Sequence, residues 1–379
     1  VWAATSVGLS DYEDFVRRLQ ALPIESDPDE GDLSDFHFLR GVAALEAGDH
    51  TVNFLEGNLT LVDHLPRVKP DICFNLCEGH FGDGREAQVP AILELMRIPY
   101  TGSQVLTLAL ALDKPMTKRV LTYHGLPTPP FQVFERVDEP LGPEMQFPLF
   151  VKPSREGTGM GISAESIARD EVQLRTQLRR LFERYDQPVL AERYIEGREV
   201  TVGVLGNLGS PVAWRVPEDE EAPRILKGLQ FLPALEVDLG AYPAEEAGIY
   251  TSRIKVEMAD EFHYLCRASL TAEQIEELNW MAAAVFRVTG CLDVARVDFR
   301  LDANDNDKPY ILEINPLAGL HQGLGRAADM LLQRQQQAFR QCRNSNSLAP
   351  TDLQLATSAT PNSDNCLPND PKFGKLHVD

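Results

Sequence analysis

A chain of 379 residues has room for about two or three domains, and its 43% apolar and 25% charged residues exclude wholesale disorder and a disulfide-stapled miniature. With 57 acidic against 36 basic residues the formal charge is -21, which sets the chain against phosphate backbones and anionic lipid, so neither nucleic acid nor membrane is an expected partner. The six cysteines (Cys73, Cys77, Cys266, Cys291, Cys342, Cys366) show none of the paired spacings of zinc or dithiol chemistry and read as idle thiols in a reducing compartment.

No apolar run reaches the roughly 18 to 20 residues of a membrane helix, and no basic-then-apolar leader opens the chain, so a cytoplasmic location is expected. The first residue is Val1, compatible with a fragment or a processed form. Residues 1–34 read as an irregular segment: an amphipathic stretch (Tyr12, Phe15, Val16, Leu19) followed by the acidic run Glu25 to Asp32. Residues 35–113 read as an α/β substrate domain. Its expected elements are a helix from Phe36 to Gly48, strands at Thr51 to Phe54 and Asp71 to Leu76, a polar loop from Cys77 to Arg85 and a helix from Glu86 to Met96. Strands alternating with helices suggest a parallel sheet.

A helical block runs from Ser103 to His124 with Asp113-Lys114 in its middle, and residues 114–205 form a second unit. Here Phe147 to Pro153 reads as a strand leading into a glycine-rich loop, Ile162 to Ala164 as extended, and Asp170 to Tyr185 as a helix. Val189 to Ile195 and Glu199 to Leu205 then read as two strands split by a turn at Glu196-Gly197-Arg198. In a third unit, residues 206–332, Ser210 to Glu261 reads as loop-rich. It is followed by a helix from Thr271 to Gly290 and by strands Val294 to Leu301 and Tyr310 to Ile314 around the turn Asn304 to Asp307. Residues 333–379, rich in Gln, Asn and Ser and without apolar periodicity beyond Asn344, read as a disordered tail.

The loop Arg155-Glu156-Gly157-Thr158-Gly159-Met160-Gly161 sits between two extended segments, where glycines can bring backbone N-H groups against an anion; a plain tight turn would use the same residues. Lys152 at the preceding strand end and Lys114 on a helix could each meet a phosphate oxygen, or each be a solvated charge. Arg296, Asp298 and Arg300 share one face of a strand at period two, as do Glu313 and Asn315 on the next. Asp298, Glu313 and Asn315 bring hard oxygens together as magnesium prefers, although a hairpin with its acidic faces in water would look the same.

With these motifs in order, the chain resembles the ATP-grasp superfamily and, within it, the D-alanine-D-alanine ligase family. The resemblance spans about Asp71 to Gly319. It rests on Ile98-Pro99-Tyr100-Thr101-Gly102-Ser103, Leu112-Asp113-Lys114, Val151 to Gly157, Glu192 to Glu199, Ala295 to Phe299 and Leu312 to Pro316. It implies an ATP-grasp fold, α/β and α+β, with an N-terminal parallel-sheet domain, a central subdomain carrying the glycine-rich loop and a C-terminal subdomain carrying the metal site. It further implies that Lys114 and Lys152 hold ATP phosphates, that Gly157, Gly159 and Gly161 close over them, that Glu192 and the backbone near Ile195 meet adenine, and that Glu199 meets the ribose. Asp298, Glu313 and Asn315 would hold Mg2+, with Mn2+ as an alternative. Arg296 would steady the oxyanion, Lys255 would reach over the nucleotide and Thr158 would supply a hydroxyl.

The chain departs from the family where Glu78 stands in place of a histidine, with His80 two positions later, where Val256 replaces a tyrosine, and where Leu324 stands near the place of a serine. D-alanine specificity is therefore not carried over. The expected activity is ATP-dependent ligation of a carboxylate to an amine through an acyl phosphate, with small amino-acid-like substrates as partners and a homodimer compatible. The alternative is an ATP-binding homologue that has lost ligation.

Overall fold

The computed structural model describes residues 51–157, 159–208, 225, 226, 228–243, 248–251, 253, 254 and 263–317. All elements below fall within one compact unit. The expected N-terminal segment, the helix at Phe36 to Gly48, the tail beyond 333, and Thr158, Lys255, Val256 and Leu324 lie outside the described residues.

Helices α1 (Leu61–Val68) and α2 (Gln88–Leu95) bury Leu61, Leu65, Val89 and Leu93 together, with Cys73, Ile98 and Tyr100 packed against them. A 3-10 turn, Arg85–Ala87, leads into α2, so the helix expected from Glu86 opens more tightly than an α-helix. No strand forms at 51–54, and the strand expected at 71–76 is reduced to one parallel bridge between Cys73 and Tyr100. The bridge ends because the next amide, Asn75 N-H, is taken by the Thr101 hydroxyl at 3.2 Å, and Gly102 turns away at φ 92°.

The helical block expected at 103–124 is two helices, α3 (Val105–Leu112) and α4 (Lys114–Tyr123). Asp113 leaves the helical region (φ -82°, ψ 91°) and caps α4 by accepting from Met116 N-H at 2.9 Å, while Pro115, which has no N-H to give, fits the first turn. The break places Lys114 at the start of a helix.

A four-stranded antiparallel sheet follows, in the order β1 (Phe131–Phe134), β4 (Val189–Arg193), β2 (Leu149–Pro153), β3 (Ile167–Ala168). Leu149, Val151, Val189 and Ala191 face α5 (Glu171–Tyr185) and meet its Leu174, Leu178 and Leu181, which recur at helical spacing. Period two therefore turns Phe150, Lys152, Leu190 and Glu192 to the opposite face. The stretch expected to be extended at 162–164 instead ends in a 3-10 turn, Ala164–Ser166, before β3.

β5 (Gly197–Gly206) does not fold back on β4 as a hairpin. It crosses into a second antiparallel sheet, ordered β11 (Lys308–Asn315), β10 (Val294–Asp302), β5, β7 (Leu229–Phe231), β6 (Ile225–Leu226), with β8 (Leu235–Val237) also on β5 and β9 (Tyr264–Cys266) on β8. The crossing depends on Gly197, whose φ is 149° and whose added Cβ would lie 1.9 Å from the Leu301 carbonyl oxygen. β6, β7 and β8 lie in the segment expected to be loop-rich. Helix α6 (Ala272–Val288) is closed at its N-terminus by a capping box between Thr271 and Gln274, and it buries Leu278, Met281, Val285 and Phe286.

Candidate active site

On the second sheet the register sets polar side chains in rows. Asp298 of β10 stands opposite Thr201 of β5 and Glu313 of β11, and Arg296 stands opposite Gly203 and Asn315. A bulge immediately after the Asp298/Glu313 pair, where Phe299 meets Ile311, leaves Leu312 unpaired and ends the row. Asp298 is densely bonded. Arg296 grips it with Nε at 2.9 Å and Nη2 at 3.0 Å, the Thr201 hydroxyl donates at 2.8 Å and the Asn315 amide at 2.9 Å. Burial pulls the Arg296 guanidinium down, but Asp298 outweighs it and holds the group above the ordinary arginine value. Arg300 and Glu199, opposite one another, pair at 3.6 Å.

The first sheet contributes Lys152 and Glu192, diagonal neighbours on β2 and β4, joined at 2.6 Å with both side chains buried. Glu192 also meets Lys118 of α4 at 2.6 Å, and Lys118, 1% exposed, donates to the Thr128 hydroxyl at 2.7 Å. Burial alone would push the Glu192 carboxyl up; the two lysines hold it below the usual carboxylate range. Burial likewise opposes the charge on Lys152, and Glu192 with Glu313 raises it above its ordinary value, whereas for Lys118 burial wins and lowers it. Glu192 thus sits between two buried lysines, with Glu313 acting on Lys152 from the second sheet.

Helix α4 links the two sheets. Lys114 at its start reaches Glu313 at 3.6 Å and the Glu156 carbonyl, and four residues on, Lys118 reaches Glu192. Beside it Glu86 is pushed up to about 7 by burial first and then by Glu78 and Glu313, against Arg85 and Lys114. In the glycine-rich loop Gly159 and Gly161 hold φ of 73° and 80°, and a Cβ on Gly161 would sit 2.7 Å from Pro153. Ile195 is buried next to the point where the chain leaves the first sheet. Apart from Ile195, which lies between β4 and β5, every expected site residue that is described lies in one of three clusters: the rows on the second sheet, the Lys152-Glu192 pair, and the loop joined to Lys114. Among the described residues no three His, Cys, Asp or Glu are placed to hold a metal by themselves. Asp298, Glu313 and Asn315 offer two carboxylates and an amide, which suits magnesium only when phosphate oxygens and water complete the shell.

The D-alanine--D-alanine ligase of Syntrophotalea carbinolica is 34% identical to the chain over 277 residues, which is 73% of this chain and 78% of that protein. The chain belongs to the D-alanine-D-alanine ligase family. The family described as "D-ala D-ala ligase C-terminus" matches residues 120–219 and 236–323. The "Uncharacterized protein y4sG" of Sinorhizobium fredii is 33% identical over 287 residues, 74% of this chain and 77% of that protein. A crystal structure of the D-alanine--D-alanine ligase of Bacillus anthracis complexed with ATP superposes with a TM-score of 0.59 at 22% identity, covering 84% of this chain and 97% of that one. The ATP-grasp fold expected from the motifs is thereby shown.

Within this ligase-family chain, reading the sequence missed Lys118, Thr201, Asp83, Arg85 and Glu86. Lys118 carried a usable signal, since it follows Lys114 by four residues and so shares its helix face. Thr201 and Arg85 carried none, because their roles depend on partners 97 and 71 residues away.

Proposed function

We propose that the protein is an ATP-dependent ligase that joins a carboxylate to an amine through an acyl phosphate. The observation that carries this reading is that two lysines of α4 meet carboxylates of both sheets: Lys114 meets Glu313 of the second sheet, and Lys118 meets Glu192 of the first, which also binds Lys152. Lys114 and Lys152 meet the phosphates of ATP, and the backbone of Gly157, Gly159 and Gly161 covers them. Glu192 and the chain at Ile195 receive adenine, and Glu199 the ribose hydroxyls. Asp298, Glu313 and Asn315 hold magnesium, which when bound neutralises the phosphate charge. Holding the ion requires Asp298 to give up one of its present donors, and Asn315, whose amide already touches it, is placed to turn its oxygen inward.

The substrate carboxylate attacks the γ-phosphate and ADP leaves; the amine then attacks the acyl carbon, loses a proton and expels phosphate. Arg296 steadies the oxyanion of that second step. Lys255 and Thr158 complete the proposal as the lysine over the nucleotide and the hydroxyl of the loop. The substrates are small and amino-acid-like, and Glu78 and Val256 support a pair other than two D-alanines. Screening amino acids in pairs for release of ADP and phosphate tests this: release should need both a carboxylate and an amine. Efficient D-alanyl-D-alanine synthesis would overturn the substrate reading, and Mg-ATP bound without turnover across the screen would favour a homologue that has lost ligation.

A further inference from the structure

The polar loop from Glu78 to Arg85 grips the base of the glycine-rich loop through two ion pairs of opposite polarity. Arg85 Nη2 meets Glu156 Oε2 at 3.2 Å, and Asp83 Oδ2 meets Arg155 Nη1 at 2.9 Å. Because the acid and the base exchange places between the pairs, sliding one loop past the other would set like charges together, so the pairs define a register. Arg155 is also held by Asp113 at 2.9 Å. Gln187 clasps both residues, accepting from Arg155 N-H at 2.7 Å and donating to Glu156 Oε1 at 2.7 Å. The Glu156 carbonyl accepts from Lys114 Nζ, so the position of Glu156 sets the position of that ammonium.

The gripping loop is itself shaped in advance. Gly79 adopts φ 67° with its Cβ position 2.4 Å from the Arg85 carbonyl oxygen, and Gln88 Nε2 donates to the Phe81 carbonyl at 2.7 Å. Directly beyond the gripped pair, a Cβ on Gly157 would meet nothing within 4 Å. The loop is therefore anchored at 155–156, and Gly157 next to the anchor stands in open space. We infer that Asp83 and Arg85 are positioning residues that latch the base of the glycine-rich loop and, through Glu156, aim Lys114. Only the consequence for nucleotide binding rests on the function proposed above.

Hydrogen exchange of the nucleotide-free protein separates the two. In Arg85→Gln and in Asp83→Asn, the amides of Arg155 and Met160, which donate to Gln187 Oε1 and to the Gly157 carbonyl, should lose protection by about three- to fivefold, the scale of one partly screened ion pair, while α5 and β10 keep theirs. Arg85→Lys should retain most of the protection. Asp83 is 78% exposed, so its variant reports the latch even where Arg85→Gln fails to fold. A double cycle of Arg85→Gln with Glu156→Gln should be non-additive in the same readout. Unchanged protection in Asp83→Asn, or additivity in the cycle, would overturn the latch whether or not ATP turns over. Lost protection in a protein that never hydrolyses ATP would leave the latch standing and remove only the ligase reading. With Mg-ATP bound, both single variants should weaken nucleotide affinity by a similar factor.

Discussion

Glu86→Gln removes a carboxyl that the fold holds in an unfavourable place. Burial and the neighbouring Glu78 and Glu313 carry its pKa from 4.5 to about 7, with Arg85 and Lys114 pulling back only partly. Since 1.36 kcal/mol accompanies each tenfold change in proton affinity, the ionised form costs the native state about 3 kcal/mol. The sign follows from proton counts. Between pH 4.5 and about 7 the native state binds more protons at Glu86 than the unfolded chain does, so its contribution to stability falls as pH rises through that window and is fully unfavourable above it. Glutamine is neutral throughout and escapes the loss. Chemical denaturation of parent and variant at pH 4.5 and at pH 8 should show the variant gaining about 1 to 3 kcal/mol relative to the parent at the higher pH, the lower bound allowing for relaxation and residual solvent. Parallel stability profiles would refute the reasoning, and a variant that loses ground at pH 8 would mean that Arg85 and Lys114 dominate the site.

Glu192→Gln leaves the buried Lys118 and Lys152 without their shared counter-charge and should lower stability by about 3 to 5 kcal/mol in urea titration, part of it recovered by adding Lys118→Met. Gly197→Ala should cost more than about 2 kcal/mol, because the new methyl strikes the Leu301 carbonyl in a backbone conformation that L side chains rarely adopt. Gly157→Ala, in open space, should leave the unfolding free energy from urea titration within about 0.5 kcal/mol of the parent after allowing for chain entropy. Glu313→Gln should abolish most of the thermal stabilisation by Mg-ATP, which for a parent held at a hundred times its Kd is worth about 2.7 kcal/mol; full protection of the variant would remove Glu313 from the metal site.

What the sequence determined by itself is what short-range geometry dictates. Alternation along β10 and β11 already put Arg296 with Asp298, and Glu313 with Asn315, because neighbouring residues on a strand must point to opposite faces whatever the rest of the chain does. The glycines at 157, 159 and 161 and the apolar repeat of α5 were legible for the same reason. The tertiary structure decided which sheet each strand joined. A turn of three residues between β4 and β5 suits a hairpin locally, and the hairpin is lost because Gly197 admits the backbone of Leu301, more than a hundred residues away in the chain. It also decided that Lys118 would be buried against Glu192 and that Arg85 would find Glu156. An isolated charge is stable in water beside any solvent-exposed backbone, so its residue type names no partner; only the burial imposed by packing two sheets around α4 removes the water and makes one particular counter-charge necessary.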